Sequence, residues 1–225
     1  MKKYKDQLTG ILVLIGYLLL SRYSNEVLQL LGFNKLSIPL KLTVSIIYEL
    51  FILLTIIFIY LKTIAKDFKD FIKNIKCYIN KYLKYWFLNI GLMTISNIII
   101  INITNISNST NQEYVTKLLG KYPLYTIIVT ILIAPITEEL IFRLNIRKIF
   151  NKDIIFIVLS GLIFGALHLT VATNIKELLF IIPYSIPGFI FAYTYVKSDN
   201  IFVPISLHTL HNTVMIILQI LLTIK

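Results

Sequence analysis

Long apolar stretches constrain this chain more than any other feature of its sequence. Residues 42–61 contain a single acid, Glu49. A helix of about 20 apolar residues is long enough to cross the roughly 30 Å hydrocarbon core of a bilayer. The chain is 57% hydrophobic, with a mean hydropathy of +0.79, which is more apolar than the usual soluble domain. The pattern predicts an integral membrane protein built from helices.

The apolar runs predict an all-α, polytopic transmembrane helix bundle of about seven spans. No internal repeat and no soluble domain is evident. Residues 1–121 are expected to form N-terminal membrane helices with a basic segment, and residues 122–225 to form the C-terminal core of one membrane domain. The predicted spans are Leu8–Leu20, Leu40–Leu61, Leu83–Ile103, Tyr122–Phe150, Ile154–Val171, Leu178–Val196 and Ile201–Ile224.

The segment Lys62–Lys84 predicts an amphipathic helix on the membrane surface. Phe68, Phe71 and Ile72 recur at helical spacing among several lysines. Such a pattern suits a helix that lies on anionic headgroups, although most charge runs are only solvated loops.

The basic residues indicate topology rather than nucleic-acid binding. The net charge is +11, but the 22 Lys and Arg fall mostly in short segments between apolar runs. Most of them share one side if Lys62–Lys84 is cytoplasmic, and the positive-inside rule then predicts a cytoplasmic N-terminus in the cell membrane.

Ionisable residues within apolar helices are costly, so each is a candidate for function. Glu138, Glu139 and Arg143 lie on the fourth predicted span. Glu139 and Arg143 are four residues apart and can form an ion pair, which leaves Glu138 as the more available base. Pro135 cannot donate to the carbonyl of Ile131, so a kink is expected just before the acids.

Two further segments carry histidines on separate predicted spans. Gly161, Gly165 and His168 fall on nearly one helical face, and the glycines allow a close helix contact that turns His168 inward. His208 and Asn212 share a face of the last span, with His211 to one side. In the sixth span, Pro183 and Pro187 leave backbone carbonyls without their usual N–H donors. Unpaired carbonyls are tolerated within a membrane only beside protein or a water-filled cavity.

These segments resemble the CAAX protease and bacteriocin-processing family of intramembrane proteases. The family's three motifs stand in order on separate apolar helices, over roughly residues 122–224. Leu144 departs from the family pattern, where Gly often follows the arginine. The matching positions are Glu138-Glu139-x-x-x-Arg143, Phe164-x-x-x-His168 and His208-x-x-x-Asn212.

The resemblance implies hydrolysis of a peptide bond in a membrane-associated peptide or lipid-modified protein. Glu138 and His168 would activate a water molecule, while His208 and Asn212 would stabilise the oxyanion. An Asn amide and a His N–H are ordinary oxyanion donors. Glu139, Arg143 and Phe164 are expected to support these groups.

The involvement of a metal is left open by the sequence. Glu138, His168 and His208 could supply three ligands of a catalytic zinc with water as the fourth. However, no His-Glu-x-x-His motif is present, and a lone cysteine, Cys77, excludes a multi-cysteine site.

Two other functions fit the same residue types. One is a bacteriocin-immunity or regulatory membrane protein that binds a peptide partner without cleaving it. The other is a small transporter that relays protons through intramembrane Glu and His; the absence of a sequence repeat argues against it.

Overall fold

Every regular element is helical in residues 2–30 and 32–223, the part of the chain that the computed structural model describes. This confirms the all-α prediction. Short 3₁₀ helices at Phe33–Lys35 and Ile175–Phe180 precede the third and seventh main helices. The main helices are α1 (Lys2–Arg22), α2 (Ser24–Leu30), α3 (Ile38–Thr104), α4 (Thr110–Lys121), α5 (residues 123–149), α6 (Asp153–Leu167), α7 (Ile181–Ser198) and α8 (Phe202–Thr223).

Helix α3 is 67 residues long and joins two of the predicted spans. Its sequence contains neither Gly nor Pro between Pro39 and Gly91, so nothing in the covalent chain forces a break. The backbone leaves helical geometry only at Asn74, with φ −114° and ψ 16°. The basic segment Lys62–Lys84 therefore lies in the middle of α3 and spans this break. Its position on the membrane surface stays a prediction.

Seven crossings are not confirmed. Within the described residues, three helical segments are long and apolar enough to span a bilayer, and a fourth is possible if α1 and α2, bent by 66°, form one span. The count falls because α3 contains two predicted spans, α6 has only 15 residues, and π-helical turns divide α5 into short pieces. The first predicted span counts only if α1 and α2 are taken together. Ile224, the end of the last predicted span, lies outside the described residues. The three segments are Ile38–Thr104, Ile175–Ser198 and Phe202–Leu222.

The main core is built from both halves of the chain. Ile52, Ile56 and Tyr60 of α3 are buried against α5 residues that include Ile141. The hydroxyl of Tyr60 also donates to the side chain of Asn145. A single shared core is consistent with one membrane domain, and the division at residues 121 and 122 stays a prediction.

Helices α6 and α7 are in close backbone contact at their glycines. A methyl group at Gly188 would lie 2.7 Å from Cα of Gly161, and one at Gly165 would overlap Ser185. Only glycine permits this approach at these positions. The predicted close packing at Gly161 and Gly165 is therefore confirmed.

Candidate active site

Helix α5 carries the two acids between two π-helical turns. Residues Ala134–Glu139 are α-helical, whereas Ile128–Ile133 before them and Leu140–Asn145 after them are π-helical. Pro135 lacks the N–H that would bond to the preceding turn, and the wider π turn includes the affected carbonyl of Ile131. The hydrogen-bond pattern of the helix therefore changes at Pro135, and the kink itself stays a prediction. Such π turns occur frequently at functional sites.

Glu139 is completely buried and has two partners. Arg143 Nε lies 3.0 Å from its Oε2, and both side chains are 0% exposed. This contact confirms the ion pair predicted from their spacing. His208 Nδ1 lies 2.8 Å from the other carboxylate oxygen, Oε1. Glu139 therefore joins α5 to α8 and fixes the orientation of the His208 ring.

Arg143 is held on several sides within the bundle. Its guanidinium lies 4.8 Å from the ring centre of Phe164 and 5.8 Å from that of Phe191. Its Nη2 also donates to the carbonyl of Gly188 at 3.4 Å. These contacts partly replace water around a buried cation. Arg143 is thus a structural centre for α5, α6 and α7.

Glu138 differs from its neighbour because its carboxylate is open. The side chain is 22% exposed, and its Oε2 lies 3.8 Å from His208 Nε2. No hydrogen bond to Glu138 occurs in the described part of the chain. The carboxylate is therefore free to bind a water molecule or a substrate group, as expected for the more available of the two acids.

His168 ends α6 and is enclosed by two aromatic rings. Its Nδ1 lies 3.0 Å from the carbonyl oxygen of Phe164. A carbonyl can only accept, so Nδ1 carries the proton and Nε2 keeps its lone pair in the neutral ring. The imidazole stacks on Tyr184, with ring centres 4.8 Å apart and planes at 23°. In the described residues, no direct hydrogen bond joins His168 to Glu138.

Phe164 connects the two motif histidines. Its ring centre lies 4.8 Å from that of His168 and 5.7 Å from that of His208. The structure therefore gathers the segments of all three sequence motifs around one aromatic side chain.

Asn212 lies one turn beyond His208 and contacts the first π turn. Its Nδ2 donates to the carbonyl of Thr130 at 2.9 Å. This bond uses one of the two amide protons and leaves the other available. The neighbouring His211 contacts α3, where its Nδ1 lies 3.3 Å from the side-chain nitrogen of Asn89.

The described residues contain no group of three or more His, Cys, Asp or Glu side chains positioned to hold a metal ion. Glu138, His168 and His208, the ligand set considered from the sequence, are therefore not assembled for metal binding. The residues present do not fit a zinc site in this geometry.

Residues 120–214 match the family model described as type II CAAX prenyl endopeptidase Rce1-like. This match covers all three motifs. Residues 120–214 are therefore similar to the Rce1-like CAAX protease family, and we call them the Rce1-like segment.

One relative of the Rce1-like segment is YdiL of Bacillus subtilis, whose name describes it as a candidate membrane peptidase. The two are 35% identical over 115 residues, which is 50% of this chain and 44% of YdiL. The chain thus matches less than half the length of that relative. No solved structure matches the chain significantly.

Two features of the Rce1-like site could not be read from its motifs. Tyr184 stacks on His168, and its hydroxyl lies 2.6 Å from Oγ of Ser109. Ser109 is buried at the start of α4 and precedes the matched segment. The sequence carries no signal that pairs these residues, because the contact joins positions 75 residues apart.

Glu49 of α3 also lies near the site. It is partly buried and within electrostatic range of Glu138. Tyr17 of α1 also lies within electrostatic range of both Glu49 and Glu138. Glu49 did carry a signal, because it is the single acid in residues 42–61, but nothing in the sequence indicated which helix it faces. Helices α1 and α3, which precede the matched residues, therefore pack beside the Rce1-like segment at the site.

Proposed function

We propose that this protein is an intramembrane endopeptidase that hydrolyses a peptide bond in a membrane-associated peptide or lipid-modified protein. The observation that carries the proposal is the contrast between the two adjacent acids. Glu139 is buried between Arg143 and His208, while Glu138 is open and faces the ring of His208. A free carboxylate beside a histidine within an apolar bundle suits general base catalysis.

Glu138 is the proposed base for the attacking water. It takes a proton as the water oxygen bonds to the carbonyl carbon, and the carbonyl π electrons move to oxygen. His168 accepts a second hydrogen bond from the same water through Nε2, the nitrogen left free by its contact with Phe164. Glu138 then passes its proton to the leaving nitrogen as the C–N bond breaks.

His208 and Asn212 are the proposed donors to the oxyanion. Glu139 accepts from Nδ1 of His208 and so directs Nε2 to the open side of the site beside Glu138, from which an Nε2–H would donate to the oxyanion. Asn212 retains one free amide proton after its bond to Thr130. Removing one oxyanion donor typically lowers kcat by about 10²–10³.

The proposal also covers the orientation of the protein in the membrane and the direction from which its substrate approaches. We expect a cytoplasmic N-terminus in the cell membrane, with Lys62–Lys84 near anionic headgroups. The type II CAAX prenyl endopeptidase description of the family supports a substrate with a lipid anchor close to the cleaved bond. The substrate would then approach from the bilayer or its surface.

The test is cleavage of a library of membrane-presented peptides, with and without a prenyl group, by purified protein in liposomes. Wild type is compared with Glu138→Ala and His168→Ala, each with and without a chelator. We expect cleavage by wild type and at least a 100-fold loss in both variants, within the range typical of lost general acid–base catalysis. Equal binding of a peptide by all three proteins without cleavage would instead establish a binding or immunity role.

A further inference from the structure

A polar cleft lies outside the proposed active site, where α1, α3 and the end of α5 meet. It consists of two adjoining cavities of about 550 and 400 Å³ that share Asp6, Thr63 and Lys148. The turn that joins α5 to α6 forms one edge. This turn is polar and basic, which is typical of the level where a membrane helix leaves the bilayer. We call this the α1–α5 cleft.

The cleft presents hydrogen-bond donors that have no partner. Arg147 donates through Nη2 to Asp153 at 2.5 Å, but its Nη1 is buried and has no partner among the described residues. Lys148 forms no ion pair there, and its Nζ lies 5.1 Å over the ring of Tyr60. The guanidinium of Arg147 also lies 5.3 Å from the ring centre of Phe156, and a buried guanidinium nitrogen is normally satisfied by an acceptor or by ordered water.

Uncharged side chains with hydrogen-bond donors also line the α1–α5 cleft. The side chains of Thr63, Asn151 and Tyr195 line the larger cavity. None of the three has a side-chain hydrogen bond in the described part of the chain. A ligand with several acceptor oxygens on one centre would satisfy more of these donors than a single water molecule could.

We infer that the α1–α5 cleft binds the phosphate group of a phospholipid, with Arg147 and Lys148 as its cationic contacts. Guanidinium and ammonium groups are the usual protein partners of phosphate. Basic pockets between membrane helices bind lipid headgroups at the cytoplasmic side, which agrees with the orientation proposed above. The carboxylate of Asp6 faces the same cleft and suits a hydroxyl on the headgroup, so phosphatidylglycerol is the favoured lipid.

Occupancy of the cleft would support the helix that carries the acids. Asn145 donates to the carbonyl of Gly10, and Gln7 donates to that of Ile149. Both bonds join α1 to the end of α5 beside the cleft. A bound lipid adds a third connection between these helices, independent of any protease activity.

The experiment is native mass spectrometry of detergent-purified protein with added phosphatidylglycerol, phosphatidylcholine or inorganic phosphate. Wild type is expected to retain one phosphatidylglycerol after weaker lipids are stripped. Lys148→Ala should bind it about tenfold more weakly, because one charge-assisted contact is lost. The matched control is Lys152→Ala in the same turn, whose lysine lies outside the cleft lining and should behave as wild type.

A second variant and the competing anion complete the test. Asn151→Asp places a negative charge at an exposed edge of the cleft and should also expel the lipid. Release of the lipid by millimolar inorganic phosphate would assign the phosphate chemistry to a soluble ligand rather than a lipid. Equal retention of phosphatidylglycerol by wild type, Lys148→Ala and Asn151→Asp would overturn the proposal.

Discussion

At the residue scale, adjacent glutamates in one helix are divided by their surroundings. Glu139 points to Arg143 and His208, whereas Glu138 points to open space beside His208. Their positions along α5 differ by about 100° of rotation. The Glu139 carboxylate is therefore expected to stabilise the fold, and the Glu138 carboxylate to take part in the reaction.

Arg143→Gln should destabilise the fold strongly. The change leaves Glu139 buried without its cation, and removing one partner of a buried ion pair typically costs about 3–5 kcal/mol. Thermal unfolding in detergent would show a marked fall in Tm. The control is Lys117→Gln, which removes an exposed pair with Glu113 and should cost about 1 kcal/mol or less. A wild-type Tm for Arg143→Gln would contradict the structural role of the pair.

Tyr184 should position His168 through its ring rather than its hydroxyl. Tyr184→Leu removes the stacked ring and is expected to lower kcat at least tenfold with little change in KM. Tyr184→Phe keeps the ring, loses only the contact with Ser109, and should retain most activity. The ¹⁵N shifts of the His168 ring would report its tautomer directly. Unchanged shifts and kcat in Tyr184→Leu would exclude this role.

Residues with a local pattern could be predicted, and those joined only by tertiary contacts could not. The Glu139–Arg143 pair follows from spacing on one helix. The bond from His208 to Glu139 links positions 69 residues apart, so the sequence placed both near one site but did not pair them. Roles in water activation and oxyanion binding remain predictions for experiment.

At the scale of helices, the contact between α6 and α7 depends on glycine. Gly188→Ala would place a methyl group 2.7 Å from the Cα of Gly161 and force the helices apart. Overpacking of this kind costs about 1–3 kcal/mol. Because Arg143 donates to the carbonyl of Gly188, the variant should lose activity as well as thermal stability.

Gly91→Ala provides the matched control for this prediction. A methyl group at Gly91 would meet nothing within 4 Å, and alanine favours a helix by up to about 1 kcal/mol over glycine. Its Tm should equal or exceed that of wild type. A Gly188→Ala protein as stable as Gly91→Ala would show that the close contact is not needed.

The length of α3 shows where sequence reasoning failed at this scale. Apolar spans and a basic segment were expected as separate elements, because charge normally marks the end of a membrane helix. Helical propensity continues through the lysines without a Gly or Pro to interrupt it, so only Asn74 departs from helical geometry. Hydropathy could locate the two apolar segments of α3, but it could not show that one continuous helix joins them.

At the scale of the whole molecule, the two halves of the chain share a core. Ile52, Ile56 and Tyr60 pack with residues of the Rce1-like segment. Asn200, at the turn between α7 and α8, also donates to the Asp67 carbonyl and to the Asp70 carboxylate of α3. The N-terminal helices therefore complete the fold rather than only anchor it.

A fragment of residues 122–225 should consequently fail to fold alone. It would expose the core surface that α3 covers, and size-exclusion chromatography in detergent should show aggregation. Co-expression with residues 1–121 should restore a monodisperse complex. A monodisperse fragment with wild-type Tm would contradict the shared core.

The most direct measurement compares Glu138→Gln with Glu139→Gln for both peptide cleavage in liposomes and Tm in detergent. The glutamine variants preserve side-chain size, so the comparison separates chemistry from packing. We predict that Glu138→Gln loses cleavage at least 100-fold with a Tm equal to wild type, and that Glu139→Gln lowers the Tm. Wild-type cleavage by Glu138→Gln would contradict the central claim that its carboxylate activates the attacking water.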